Sequence, residues 1–215
     1  MSQSQHEDHL QALSEIRSLM EKSSRFISLS GLSGVAAGVS ALLGAMAAYI
    51  YLGISPFERK MVYISDLQHG SRTWGLDYLT FFIGDAALVL LLAIASGIYF
   101  TTRKARSKGQ KVWDATSQRV VINLLIPLLT GGIFCIALFF QHLYGLIAPA
   151  TLVFYGLALV NGGKYTLNDI RYLGITEIAL GLLAMFYIGY ELEFWATGFG
   201  VLHIVYGLLM YQKYK

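Results

Sequence analysis

Residues 171–215 read RYLGITEIALGLLAMFYIGYELEFWATGFGVLHIVYGLLMYQKYK, and this stretch decides the fold. Two apolar runs, about 172–190 and 194–211, are joined by a short acidic turn at Glu191 and Glu193. Each run is apolar on every side, which fits a helix surrounded by lipid and other helices rather than one resting on a soluble core. Glu177 lies inside the first run and His203 inside the second. An ionisable group in hydrocarbon is costly, so each is a candidate functional residue whose partner has to be named.

The rest of the chain repeats the pattern. Of 215 residues, 55% are hydrophobic and 13% charged, and the charges are bunched between long apolar runs. That distribution predicts an all-α integral membrane bundle of six transmembrane helices, with spans at about 26–52, 78–100, 120–140, 144–160, 172–190 and 194–211. Residues 1–25 stand apart as an amphipathic cytoplasmic segment, followed by the membrane domain over 26–215. In that segment Leu10, Leu13, Ile16, Leu19 and Met20 recur at helical spacing, while its charges are mixed in sign. A mixed face is not built for anionic lipid, so it is expected to dock on the bundle, on a second copy or on a partner protein.

The run 26–52 stays apolar well past the small residues Ala45-Met46-Ala47, as a membrane helix does and a signal peptide does not. Gly34 and Gly38 stand in it at GxxxG spacing, which lets two backbones approach closely in lipid. Packing within the bundle and packing across a dimer are both open. Residues 53–77 form the longest extramembrane connection, with a possible short helix over 57–68; Trp74 and Tyr78 suit an interfacial aromatic belt. The second span contains Asp85. The basic run Thr101–Arg119 is a cytoplasmic topology anchor rather than a nucleic-acid surface. In the third span Pro127 cannot donate to the carbonyl of Asn123. The freed oxygen and the Asn123 amide either form a polar niche or are satisfied by a neighbouring helix.

Orientation follows from the basic residues. With six spans, 13 of the 16 Lys and Arg fall on the side of both termini, and only Arg59, Lys60 and Arg72 on the other. The positive side is the cytoplasm, so both termini are expected to be cytoplasmic.

The third and fourth spans also resemble the fifth and sixth. Gly131 matches Gly181 at an offset of 50, Tyr155-Gly156-Leu157 matches Tyr206-Gly207-Leu208 at 51, and Lys164-Tyr165 matches Lys213-Tyr214 at 49. Both hairpins run in-out-in, so the repeat is parallel. The phrases Arg171-Tyr172-Leu173-Gly174-Ile175-Thr176-Glu177-Ile178 and Gly198-Phe199-Gly200-Val201-Leu202-His203-Ile204-Val205-Tyr206-Gly207 resemble a group of uncharacterised small bacterial inner-membrane proteins. The glycine-punctuated hairpins are also similar in architecture to the acid-resistance membrane protein family, which is built of three such hairpins. Neither resemblance implies a function or a catalytic residue.

At a rise of about 1.5 Å per residue, Glu177 lies roughly 8 Å, and His203 about 12 Å, from the cytoplasmic ends of their antiparallel helices. The depths differ by less than one turn, so the side chains can meet. A carboxylate beside an imidazole makes a proton or cation site a concrete expectation. The alternative is that Glu177 bonds to nearby hydroxyl or backbone groups while His203 fills the core, neutral. Asp85, some 10 Å from the opposite face, is expected too far away for contact. Asp85 and Asn123 nevertheless join Glu177 and His203 as candidate residues on an ion or solute path. No zinc spacing, phosphate-binding glycine loop or nucleophile elbow occurs, and His142 and His203 sit at unmatched depths for haem. No metal and no cofactor are expected. Transport of an ion or small solute is the leading functional reading. A non-enzymatic module that docks a partner or senses a signal through residues 1–25 is the alternative. An enzyme acting on lipid or quinone comes a distant third, because no acid–base or nucleophile cluster supports it.

Overall fold

The computed structural model describes residues 30–59, 73–107, 109 and 112–214. Over these residues the chain is helical and forms no strand. The elements are α1 (Gly31–Leu52), α2 (Tyr78–Ser107), α3 (Ala115–Phe140), α4 (Ile147–Gly162), α5 (Asn168–Ala184) and α6 (Glu191–Lys213). Short 3-10 turns flank α4 and extend its apolar stretch to Tyr144–Tyr165. Five of these stretches are long and apolar enough to cross a membrane. The exception is α5, whose 17 residues span about 25 Å. The amphipathic segment expected over 1–25 lies outside the described residues, as does most of the short helix expected over 57–68.

Besides the starts of α1 at Gly31 and of α5 at Asn168, where about 26 and 172 were expected, three boundaries differ. The second span does not stop at Phe100: α2 continues to Ser107, with Lys104 and Arg106 in its last turn. Cations there oppose the negative end of the helix dipole, so the helix has no reason to end with its apolar run. On the other side of the basic loop, α3 begins at Ala115, because Asp114 and Ser117 form a reciprocal cap. The Asp114 carboxylate accepts from the Ser117 amide at 2.7 Å, and the Ser117 hydroxyl accepts from the Asp114 amide at 2.8 Å.

The third difference concerns the last hairpin. The turn falls at residues 185–190, and Glu191 and Glu193 open α6 instead of forming the turn. Carboxylates are favoured at a helix N-terminus, where they face unpaired amides. Gly189 takes the left-handed backbone (φ +100°) that closes the turn, which only glycine adopts readily. Loop 53–59 is sewn to this turn. Arg59 Nε donates to the carbonyl of Ile188 at 3.0 Å, and the Phe57 amide donates to Glu193 Oε1 at 3.0 Å.

Within the bundle α1 packs between α2 and α6, α4 packs between α3 and α5, and α6 also touches α4 and α5. Glycine pairs set the closest crossings. A Cβ on Gly174 would fall 2.7 Å from the carbonyl oxygen of Gly156, and one on Gly207 would fall 2.7 Å from that of Gly31. Gly34 and Gly38 lie on this second crossing, facing His203–Gly207 and Gly200–Ile204. The small residues of α1 therefore pack inside one chain. At the opposite end of α1, Tyr51 stacks on Phe81 (ring centroids 3.9 Å) and its hydroxyl donates to the carbonyl of Leu76, closing the α1–α2 hairpin.

Candidate functional site

Glu177 sits on the inner face of α5 and is completely buried (0% exposed). Across from it, α6 is not a regular α-helix: Ala196–Leu202 is wound as a π-helix, and His203 is the first residue after it. Widened turns of this kind are frequent at functional sites. The π segment carries Gly198 against the carboxyl group, where a Cβ would fall 2.5 Å from Glu177 Oε2. A bare backbone there is what allows α6 to lie over the acid.

His203 is 5% exposed and meets three groups. Its Nδ1 is 3.4 Å from Glu177 Oε1 and 3.0 Å from the carbonyl oxygen of Gly198, and its Nε2 is 2.8 Å from the hydroxyl of Tyr155 on α4. The Gly198 carbonyl can only accept, so the hydrogen of a neutral ring resides on Nδ1. Nε2 then accepts from the Tyr155 hydroxyl. The remaining walls are apolar: Phe199 stacks on the imidazole (centroids 6.0 Å apart, 23° between planes), and Leu152 and Leu180 close the side near Gly198. Neither oxygen of Glu177 has a hydrogen-bond partner. An isolated carboxylate in such surroundings is strongly disfavoured until a proton or a cation reaches it.

Compared with protein-family models, curated proteins and solved structures, the chain matches none of them. Its function has to be argued from the site.

Of the four candidate path residues, the fold brings together Glu177 and His203 and leaves the other two elsewhere. Asp85, on α2, faces Gly44 of α1, its carboxyl oxygens 3.2 and 3.3 Å from where a Gly44 Cβ would be. The backbone of His203 faces Gly34 of the same helix. Ten residues of α1 separate the two levels, about 15 Å along its axis. Asn123 belongs to a different contact. Its backbone oxygen, freed by Pro127, accepts from Asn161 Nδ2 on α4 at 3.0 Å, and its own amide donates back to the carbonyl of Arg119 at 2.8 Å. The carbonyl freed by the proline is thus satisfied by a neighbouring helix, the second of the two alternatives the sequence offered, and Asn123 is packed rather than set in an open polar niche. His142, in the α3–α4 turn, pairs with the Tyr144 hydroxyl at 2.7 Å.

Tyr155 and Gly198 were not among the candidate site residues. Tyr155 carried a signal: a tyrosine in the middle of an apolar span, away from either interface, needs a buried partner for its hydroxyl. Gly198 carried none, because its role depends on which helix lies opposite.

At the far end of α5 the carboxylate of Asp169 accepts from Lys213 Nζ at 3.1 Å and from the Tyr214 hydroxyl at 2.6 Å. Burial, and next the Asp169 carboxylate, push the Tyr214 phenol above its usual range, so it remains a donor. This contact ties the end of α6 to the start of α5, two turns below Glu177.

Proposed function

We propose that the chain spans a bacterial inner membrane six times, with both termini cytoplasmic, and that it moves a proton or small cation through a site formed by Glu177 and His203. In this reading α5 is the fifth of six spans, and the turn at 185–190 completes the crossing that its 17 residues begin. The bias of Lys and Arg toward one set of loops supports the orientation.

One observation carries the functional reading: a fully buried carboxyl group with no donor on either oxygen, 3.4 Å from an imidazole. In the loaded state the proton resides on Glu177 and His203 is neutral, with Nδ1–H on the Gly198 carbonyl. When Glu177 gives its proton up to water admitted as the helices part and Nε2 takes one up, the pair becomes carboxylate and imidazolium. The two groups exchange no proton directly, because the ring atom facing the acid is Nδ1, which already carries a hydrogen. Tyr155 then turns its O–H away and offers a lone pair to Nε2–H. The two states hold the same number of protons. With Glu177 sealed, this conformation is an occluded one, and exchange with either side requires the helices to part. The π segment is where α6 can tighten to α-helix, rotating His203 relative to Glu177.

Proteoliposomes loaded with a pH-sensitive dye test the reading. Under an imposed potassium potential, the wild-type protein is expected to dissipate a proton gradient faster than protein-free vesicles. Glu177→Gln is expected to fall to the vesicle background while keeping its melting temperature and monodispersity. Equal flux in Glu177→Gln and wild type, or no wild-type flux above background with protons or alkali cations, sinks the reading.

A further inference from the structure

On the face of α4 turned away from Tyr155, a cavity of about 400 Å³ opens between α3 and α4 on the outside of the bundle. That size falls within the ~300–1,000 Å³ of small-ligand sites. One wall is Pro127 and Thr130 of α3, and the other is Phe154, Leu157 and Asn161 of α4, with Lys164 at the end. The Thr130 hydroxyl is occupied by the carbonyl of Ile126 at 2.8 Å, and the Asn161 amide by Asn123. Both walls are therefore apolar to an incoming molecule until Lys164 is reached. Lys164 is exposed, and its ammonium group makes one long contact, 3.3 Å, to Asn161 Oδ1. Arg119, also exposed, falls on the same α3 stripe as Asn123 and Pro127 at four-residue spacing, so a second cation flanks the same end.

We infer that this groove holds an anionic phospholipid, one acyl chain lying between Pro127 and Leu157 and the headgroup phosphate on Lys164 and Arg119. An apolar trough with cations only at its cytoplasmic end matches the polarity of such a lipid along the membrane normal. Basic pockets between membrane helices on that side select anionic headgroups in this way. A zwitterionic lipid would fill the trough equally well but would gain less from the paired charges. The inference rests on the membrane reading and is independent of any ion movement through Glu177, since Lys164 and Glu177 lie on different sides of α4.

Native mass spectrometry of the full chain, purified in detergent and offered equal amounts of phosphatidylglycerol and phosphatidylcholine, tests it. Preferential retention of phosphatidylglycerol is expected. Lys164→Gln should lower that retention roughly fivefold, and Lys164→Arg should restore it. Leu157→Trp, at a position 41% exposed, should block both lipids without lowering the melting temperature in lipid-free detergent. Lys164 is a surface residue, so its variants decide the headgroup contact even if the tryptophan variant is unstable. Equal retention of the two lipids, no loss in Lys164→Gln, or displacement of phosphatidylglycerol by glycerol phosphate alone would overturn the inference.

Discussion

Gly198 of α6 faces Glu177 of α5 so closely that the Cβ of any other residue there would fall 2.5 Å from the carboxyl oxygen Oε2. Gly198 also supplies the carbonyl that holds His203 Nδ1 at 3.0 Å. Gly198→Ala is therefore expected to push α6 off the acid, destabilising the protein by about 1–3 kcal/mol as overpacking does, and to weaken the Glu177–His203 contact. Gly84→Ala, on a helix surface with nothing within 4 Å, is the control and should have no such effect. Chemical or thermal unfolding in detergent compares the two. Equal stability would mean that the backbone of α6 can yield freely at this point.

The neutral ring of His203 should be the Nδ1–H tautomer. Nitrogen chemical shifts of a sample labelled at histidine distinguish it from the Nε2–H form, with His203→Gln identifying the resonance. Tyr155→Phe removes the donor to Nε2 and is expected to lower stability by roughly 0.5–1.5 kcal/mol while leaving the hydrogen on Nδ1. A wild-type signal from the Nε2–H tautomer would contradict the hydrogen-bond assignment.

Asn161 answers Pro127, and the two should be energetically coupled. Asn161→Leu strands the Asn123 carbonyl and should destabilise by about 1–3 kcal/mol. Pro127→Ala returns a backbone donor to that oxygen, so Asn161→Leu should lose most of its effect in the Pro127→Ala background. A double-mutant cycle measures this directly. Additive effects would show that the 3.0 Å contact contributes little.

The α4–α5 crossing depends on glycine on both sides. Gly174→Leu must separate two backbones, since its nearest neighbour is the Gly156 carbonyl and no side chain can rotate away. It is expected to prevent stable folding, whereas Gly97→Leu, in open space on α2, should be tolerated. Yield of monodisperse protein after extraction separates the outcomes.

How much of this was legible beforehand follows from the kind of interaction each feature uses. Spans are written in composition, because a helix facing lipid must be apolar on all sides whatever its neighbours do. Caps and dipoles act within one turn, so Asp114 with Ser117 at the head of α3, and Glu191 and Glu193 at the head of α6, were available in the local sequence. Reading the acidic pair as a turn overlooked that local rule. The depths of Glu177 and His203 follow from counting residues along a helix, and the same count placed Asp85 out of reach.

What the sequence alone determined, then, is a set of apolar helices, their order along the chain, and the levels at which charged groups lie in them. Tertiary structure decided the rest: that Tyr155 rather than Asp85 completes the site, that Asn161 satisfies the carbonyl freed by Pro127, and that Gly198 clears room for the carboxyl group. Those facts depend on the rotation of each helix about its own axis. Rotation is set by the sum of many contacts with other helices, and no single helix carries that information in its own residues.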